Sequence, residues 1–134
     1  MLRIADGELD ITDDLVVYWQ GKPFTGIAYE HGARKALGEI EYKNGIQHGF
    51  TRTWSESGQL ISEKYYEYNI LIHKKEWNEK GEIVREFQLT SEHDSYSRWQ
   101  YFKRTQGDNP DPHAGIVPNI PPEELFDTNS DLDT

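Results

Sequence analysis

Short apolar runs separated by turn residues dominate the chain from about residue 14 to residue 89. The runs are rich in β-branched and aromatic residues, and Gly or Asn ends each of them at intervals of about 11 to 13 residues. The pattern predicts seven strands, at residues 14–19, 24–29, 37–42, 48–54, 60–66, 72–77 and 82–89. No connection between these strands is long enough for a crossover helix. The pattern therefore predicts an antiparallel meander and argues against parallel pairing.

The same residue types recur along this region at a fixed spacing. The pairs at a spacing of 23 are Trp54 and Trp77, Gly58 and Gly81, Leu60 and Ile83, and Glu63 and Glu86. Tyr42 recurs as Tyr66 at a spacing of 24, and Gly45 is replaced by Asn69 at the same spacing. Asn also tolerates the positive φ that Gly adopts in turns. A fixed period of this length predicts a repeat architecture.

One aromatic residue stands near the end of almost every predicted strand. These residues are Tyr18, Tyr29, Tyr42, Trp54, Tyr66 and Trp77. We expect them to form a cross-strand row along one edge of the sheet and to belong mainly to the hydrophobic core. The alternative is an exposed aromatic binding face, because a single-layer sheet does not bury both of its faces by itself.

The pattern changes after residue 89. Ser91 with Asp94 three residues later resembles a helix start, and Tyr96, Trp99 and Phe102 follow at intervals of three. We therefore predict a capping helix at about residues 92–104, which closes a repeat domain of residues 1–104 with repeats at about 15–89. Residues 105–134 form a tail rich in Pro and Asp, and from residue 107 its composition is typical of disorder.

The negative charge lies at the two ends of the chain. The net charge is −10 overall, with −4 in residues 1–17, zero in residues 18–89 and −7 in residues 105–134. A negative protein repels nucleic acid and anionic lipid and favours basic partners. An acidic tail that serves only solubility is the alternative.

The spacing Tyr-x-x-Gly, His-Gly, Trp-x-x-x-Gly-x-Leu-x-x-Glu, seen from Tyr42 to Glu63, resembles MORN-type repeats of the bacterial kind found in YwqK-like antitoxin proteins. The segment from Gly21 to Ile27 is similar to the way those proteins begin. The resemblance covers about residues 15–89, and the unit that contains Asn69 lacks the His-Gly pair. It implies an all-β repeat sheet and an antitoxin or immunity protein, which binds its target and is not an enzyme. Other MORN proteins are scaffolds or membrane-surface modules, which is the alternative.

An immunity protein of this kind would occlude a basic toxin, such as a nuclease, by direct contact. We expect the contact residues on one sheet face and its aromatic row, and on the acidic tail. They are Glu39, Glu41, Trp54, Glu63, Tyr66, Glu67 and Trp77 in the sheet, and Asp108, Asp111, Glu123, Glu124, Phe126 and Asp127 in the tail. Charge complementarity would speed association, and buried aromatic residues would supply affinity. An exposed sheet edge also leaves room for a homodimer.

Other kinds of chemistry have little support in the sequence. The five histidines stand in different units, and no motif joins any of them to a nucleophile, so we expect no catalytic residue. His48 fits a turn residue of the repeat. Asp127, Asn129, Asp131 and Asp133 alternate as in a calcium loop, but Leu132 replaces the required Gly, so we expect neither a metal nor another cofactor. Without cysteines, an apolar span or a signal-like start, we expect a soluble cytoplasmic protein that binds neither nucleic acid nor membranes.

Overall fold

The computed structural model describes residues 1–31 and 36–113, which form mostly β-structure with one α-helix. The ten strands are β1 (Arg3–Ala5), β2 (Asp10–Ile11), β3 (Val17–Trp19), β4 (Lys22–Pro23), β5 (Gly26–His31), β6 (Ala36–Lys43), β7 (Ile46–Trp54), β8 (Leu60–Glu67), β9 (Ile70–Trp77) and β10 (Ile83–Gln88). A 3₁₀ turn spans Asp6–Glu8, and the helix α1 spans Ser95–Gln106.

A seven-stranded sheet forms the body of the protein. Its strand order is β1-β5-β6-β7-β8-β9-β10, and from β5 onward each strand is antiparallel to its neighbour. The predicted strands from residue 24 onward correspond to β5–β10. An all-β protein with a large antiparallel sheet is therefore confirmed.

The N-terminal strands differ from the prediction. β1 joins the large sheet parallel to β5, with Arg3 opposite Ile27. Residues 14–19 contribute only β3, which pairs with β2 and β4 in a separate three-stranded sheet. A parallel pair needs a connection of a dozen or more residues, and this small sheet provides it in place of a helix. The argument against parallel pairing considered only the connections between the predicted strands, and residues 3–5 were not predicted to form a strand.

Two turns at one end of the sheet repeat the same hydrogen bonds 23 residues apart. In the first, the Ser55 amide donates to Gln59 O (2.8 Å) and the Gly58 amide donates to Ser55 O (2.9 Å). In the second, the Asn78 amide donates to Glu82 O (2.9 Å), and the corresponding glycine amide donates to Asn78 O (3.0 Å). We call these the twin turns.

The turns at the opposite end bind one another in a similar way. Asn69 has a φ of +64°, the positive value expected where Asn replaces Gly. Its amide donates to Gln47 O (2.9 Å), and its side-chain Oδ1 accepts the Gln47 amide (2.7 Å). This reciprocal pair connects the β8–β9 turn to the start of β7, so the two turns are held side by side.

Two hydrophobic clusters hold other elements against the large sheet. The first contains Ile46, Tyr68, Ile70, Ile72, Leu89 and Phe102, with Tyr65, Phe87, Tyr96, Trp99 and Tyr101 packed around it. The second contains Val17, Phe24 and Ala28, with Ile4, Leu9, Trp19 and Tyr42 around it. The first cluster joins α1 to the sheet, and the second joins the small sheet to it.

The helix begins later than the sequence indicated. Asp94 is the N-cap of α1 and makes no side-chain capping bond, so the prediction of Ser91 as the cap was wrong. Residues 90–93 instead form a turn, in which the Thr90 amide donates to His93 Nδ1 (2.9 Å). This local bond competes with helix formation. The apolar face of the helix was predicted correctly, since Phe102 is 1% exposed.

Residues 107–113 are bound to the domain, contrary to the expectation from composition. Pro110 is fully buried, and its carbonyl accepts a hydrogen bond from Asn44 Nδ2 (2.7 Å). The same nitrogen donates to Asn109 Oδ1 (2.9 Å), and the Asn44 amide donates to Thr25 Oγ1 (2.9 Å). The first part of the tail is therefore tied to the β6–β7 turn, because the Asn44 side chain supplies donors that composition does not reveal.

Candidate partner-binding surface

Side chains of alternating charge lie directly opposite one another across five strands. In register, Glu39 faces Arg52, Arg52 faces Glu63, Glu63 faces Lys75 and Lys75 faces Glu86. Directly opposite residues of an antiparallel pair share one face of the sheet. We call this set the charge row. Because acidic and basic side chains alternate, the net charge of the charge row is close to zero.

Two ion pairs lie along the charge row. Arg52 Nε is 2.7 Å from Glu63 Oε2, and Arg3 on β1 places a guanidinium nitrogen 2.5 Å from Glu39 Oε2. The Arg3 guanidinium also lies 5.6 Å from the ring centre of Tyr29. All of these side chains keep part of their surface exposed, so each pair contributes about 0–1 kcal/mol. Glu39 and Glu63 are therefore available at the surface but already have basic partners.

An aromatic cluster lies beside the charge row on the same face. Phe50, Tyr65 and His73 occupy directly opposite positions on three strands, with ring centres 4.9 Å and 5.3 Å apart along the row. The Arg52 guanidinium lies over Phe50, 4.3 Å from its ring centre. We did not predict this cluster. The signal was present, because Phe50 and Tyr65 stand two residues from Arg52 and Glu63 and so share their face.

Glu67 has a structural role. Its carboxylate accepts hydrogen bonds from the Tyr65 hydroxyl (2.8 Å) and from Trp99 Nε1 on α1 (2.7 Å). Burial, helped by the bond to Glu67, raises the pKa of Tyr65 to about 12. A partner that bound the Glu67 carboxylate would compete with the contact between the helix and the sheet.

Glu41 also has a partner within the fold. Its Oε1 accepts the Phe50 amide at 3.1 Å, and its carboxylate fills the space where Gly49 lacks a side chain. The glycine of the His-Gly pair therefore makes room for a carboxylate. His48 next to it lies in β7, so its interpretation as a turn residue was wrong. Its Nδ1 accepts the amide of Tyr68 in the β8–β9 turn (3.2 Å).

The predicted aromatic row does not form. Tyr42 and Tyr66 precede turns at one end of the sheet, whereas Trp54 and Trp77 precede the twin turns at the other end. The chain reverses at every turn, so residues that precede successive turns alternate between the two ends. Tyr66 follows Tyr65 in the same strand, so it lies on the face opposite the aromatic cluster. All six residues of the predicted row are half-buried.

The two acidic flanks of the chain meet near the end of α1. Asp14 and Asp111 line one cavity of about 200 Å³, together with Arg98 of the helix. His113 Nδ1 is 3.8 Å from Asp14 Oδ2. We call Asp14 and Asp111 the acidic junction. Asp108 lies three residues before Asp111 and is exposed. The Oδ1 atom of Asp111 accepts the His113 amide (2.9 Å).

The remaining predicted contact residues lie beyond the part of the chain that the structure describes. They are Glu123, Glu124, Phe126 and Asp127. Within the described ranges, no group of three or more His, Asp or Glu side chains is arranged to hold a metal ion. In the same ranges, no helix combines the length and apolar character needed to cross a membrane.

Comparison of the chain with protein-family models, with curated proteins and with solved structures finds no match. The resemblance to MORN-type repeats therefore stays a prediction from the residue pattern. The geometry of the acidic junction and of the charge row is the basis for a functional proposal.

Proposed function

We propose that this protein is an immunity protein or antitoxin with MORN-like repeats in a β-meander, and that it neutralises a basic toxin by covering its active site. The observation that carries the proposal is the acidic junction. Asp14 and Asp111 are 97 positions apart in the chain and line one cavity. With Arg98 in the same lining, the two carboxylates still leave a net negative charge at the cavity, and such a charge speeds encounter with a basic protein.

The fold supports the repeat part of the proposal. The twin turns share their hydrogen bonds at the 23-residue spacing of the sequence repeat. Gly49 and Asn69 have backbone and packing roles, as repeat anchors of this kind would. The half-buried aromatic cluster and the charge row supply a second surface, on which aromatic contacts would add affinity.

The test is neutralisation of a defined partner. The full chain is co-expressed with the protein encoded next to it in its source genome, and we expect restored growth and a stable complex that elutes as one species. The proposal is wrong if no neighbouring gene product binds the full chain or loses its toxicity in its presence.

Charge variants locate the contact. Asp108→Asn with Asp111→Asn removes two charges near the acidic junction, and we expect weaker binding at low salt and a smaller salt dependence. Glu56→Gln with Glu79→Gln removes two exposed charges at the twin turns and is the matched control. Removal of residues 114–134 tests the tail and leaves the bound segment 107–113 in place. Equal binding by the Asp108/Asp111 and control variants would exclude the acidic junction as the contact.

A scaffold or membrane-surface module is the second candidate. Lys64 and Lys74 lie directly opposite one another on β8 and β9, which places two like charges together on the face opposite the charge row. Two lysines give less attraction than the clusters of basic residues that anionic membranes favour. Sedimentation with phosphatidylserine vesicles at moderate salt tests this candidate, and strong binding would favour it over the toxin proposal.

A further inference from the structure

The outer edge of β10 offers backbone groups for another strand. β10 ends the seven-stranded sheet, and no strand in the described part of the chain pairs with its outer side. The Leu89 amide donates to Ile72 O (2.7 Å), directly opposite it. Hydrogen-bonded pairs alternate along an antiparallel ladder, so Phe87 and Arg85 also point toward β9. The backbone N–H and C=O groups of Glu86 and Gln88 therefore point outward.

The charge row ends at this edge. Its signs alternate from Glu39 to Glu86, and Glu86 has Lys75 opposite it on β9 but no residue opposite it on its outer side. Ile83 and Val84 on the same strand are 49% and 56% exposed. A further strand at this edge would place one of its side chains directly beside Glu86. A basic side chain at that position would continue the alternation and would gain a favourable cross-strand pair.

We propose that β10 binds an extended segment of another protein by strand addition, with a Lys or Arg of that segment opposite Glu86. The outward groups of Glu86 and Gln88 form the main-chain hydrogen bonds, and Ile83 and Val84 provide apolar contact beside them. This inference rests on the proposed function only for the identity of the natural partner, as a segment of the basic toxin. The recognition chemistry comes from the edge itself.

Neither this chain's own tail nor a second copy of β10 fits the outer edge of β10 as well as a basic segment of another protein. Residues 105–134 contain no Lys or Arg and cannot supply the basic side chain. In an antiparallel pair of two β10 strands, residues whose backbone groups point outward must lie opposite one another. The registers that overlap most of the strand therefore place either Arg85 or Glu86 opposite the same residue of the second copy. Like charges directly opposite one another destabilise a strand pair. An unrelated basic segment fits better than a homodimer.

The test uses the ¹⁵N-labelled full chain and two synthetic peptides. One is acetyl-Thr-Thr-Val-Lys-Val-Thr-Thr-amide, and in the other Glu replaces the Lys. We expect the Lys peptide to shift the amide resonances of Glu86 and Gln88 more than those of Arg85 and Phe87, and to bind about fivefold more tightly than the Glu peptide. In Glu86→Lys the preference is expected to reverse.

A backbone variant separates strand addition from simple charge attraction. Gln88→Pro removes one outward N–H and leaves the bonds to β9 in place, as proline is tolerated on the open side of edge strands. It is expected to lose peptide binding, whereas Gln88→Thr, which keeps the N–H, retains it. If Gln88→Pro does not fold, as judged by circular dichroism, larger shifts of the outward amides of Glu86 and Gln88 than of the inward amides of Arg85 and Phe87 still separate strand addition from charge attraction.

The outcomes distinguish this inference from the proposed function. Equal affinity for the two peptides, no binding of the Lys peptide, or concentration-dependent dimerisation through β10 overturns strand addition. If the full chain and a folded Gln88→Pro variant capture the same toxin equally well, strand addition is wrong and the proposed function stands. If the peptide results hold and no neighbouring gene product binds, the proposed function is wrong and the edge site stands.

Discussion

The Glu41 carboxylate occupies the space that a side chain at Gly49 would fill, and it accepts the amide of the next residue, Phe50, at 3.1 Å. Gly49 also has a φ of +138°, which residues with a side chain rarely adopt. The glycine is therefore required both by the backbone and by its neighbour. This relationship gives the first prediction.

Gly49→Ala is expected to destabilise the protein by about 1–3 kcal/mol, because it adds backbone strain and displaces Glu41. Urea unfolding followed by tryptophan fluorescence measures the loss. Gly7→Ala is the control, since a methyl group there meets nothing within 4 Å and Gly7 does not have a positive φ. Combining Gly49→Ala with Glu41→Ala is expected to recover part of the loss. Equal stability of the Gly49 and Gly7 variants would contradict the prediction.

Phe102 is the residue of α1 that enters the core, at 1% exposure. Phe102→Ala is expected to cost about 3–5 kcal/mol, since it removes buried apolar surface and leaves a cavity under the helix. Thermal unfolding measures the change. Val84→Ala, at a position that is 56% exposed, is expected to change stability by less than about 0.5 kcal/mol. A small loss at Phe102 would show that the helix does not support the sheet.

Arg52 and Glu63 form a half-exposed ion pair in the charge row. A double-mutant cycle with Arg52→Gln and Glu63→Gln is expected to give a coupling of about 0.2–1 kcal/mol, which decreases as salt is raised. Lys75 and Glu86 stand directly opposite one another, but no ion pair between them is found in the described part of the chain, so their coupling is expected to be smaller. A larger coupling for the second pair would contradict the geometry.

Burial lowers the pKa of His48 below its ordinary value of 6.5, and its Nδ1 accepts the Tyr68 amide only when the imidazole is neutral at that nitrogen. Charges near it come from Glu67, Lys43, Asp108 and Glu41. The unfolded chain then takes up a proton at higher pH than the folded protein. The contribution of neutral His48 to stability is therefore complete above the unfolded pKa of 6.5 and is lost as pH falls from there through the lower folded pKa.

We expect the free energy of unfolding to fall as pH is lowered through 6.5 toward the lower folded pKa of His48, and His48→Gln to reduce that fall. Urea unfolding at a series of pH values provides the measurement. His31→Gln, at an exposed position, controls for the loss of an imidazole. If His48→Gln leaves the pH dependence of the unfolding free energy unchanged, protonation of His48 is not its cause.

Local pattern was sufficient to predict the strands from residue 24 onward, because each turn carries its own Gly or Asn signal. Asn69 shows this directly, since its positive φ was expected from its position in the repeat. The contacts between distant segments were not predicted. The parallel pairing of β1, the hydrogen bond from Asn44 to Pro110 and the cavity shared by Asp14 and Asp111 bring together residues far apart in the chain. No local periodicity encodes such contacts.

The candidate site was predicted only in part, for a geometric reason. Glu39, Glu41 and Glu63 do share a face, but Tyr66 lies on the other one. The spacing of 23 to 24 residues indicates equivalent positions in successive units. It does not show which side chains meet across strands, because that depends on register. The aromatic cluster was missed because Phe50 and His73, which stand 23 residues apart, are joined through Tyr65, and only strand register places Tyr65 opposite both.

The twin turns have a consequence for how the chain can change in length. A unit from one twin turn to the next contains two strands, so the chain leaves the unit at the same end of the sheet where it entered. Duplication or loss of one 23-residue unit would widen or narrow the sheet by two strands and keep the direction of every later strand. Such a change would leave α1 connected to the sheet at the same end.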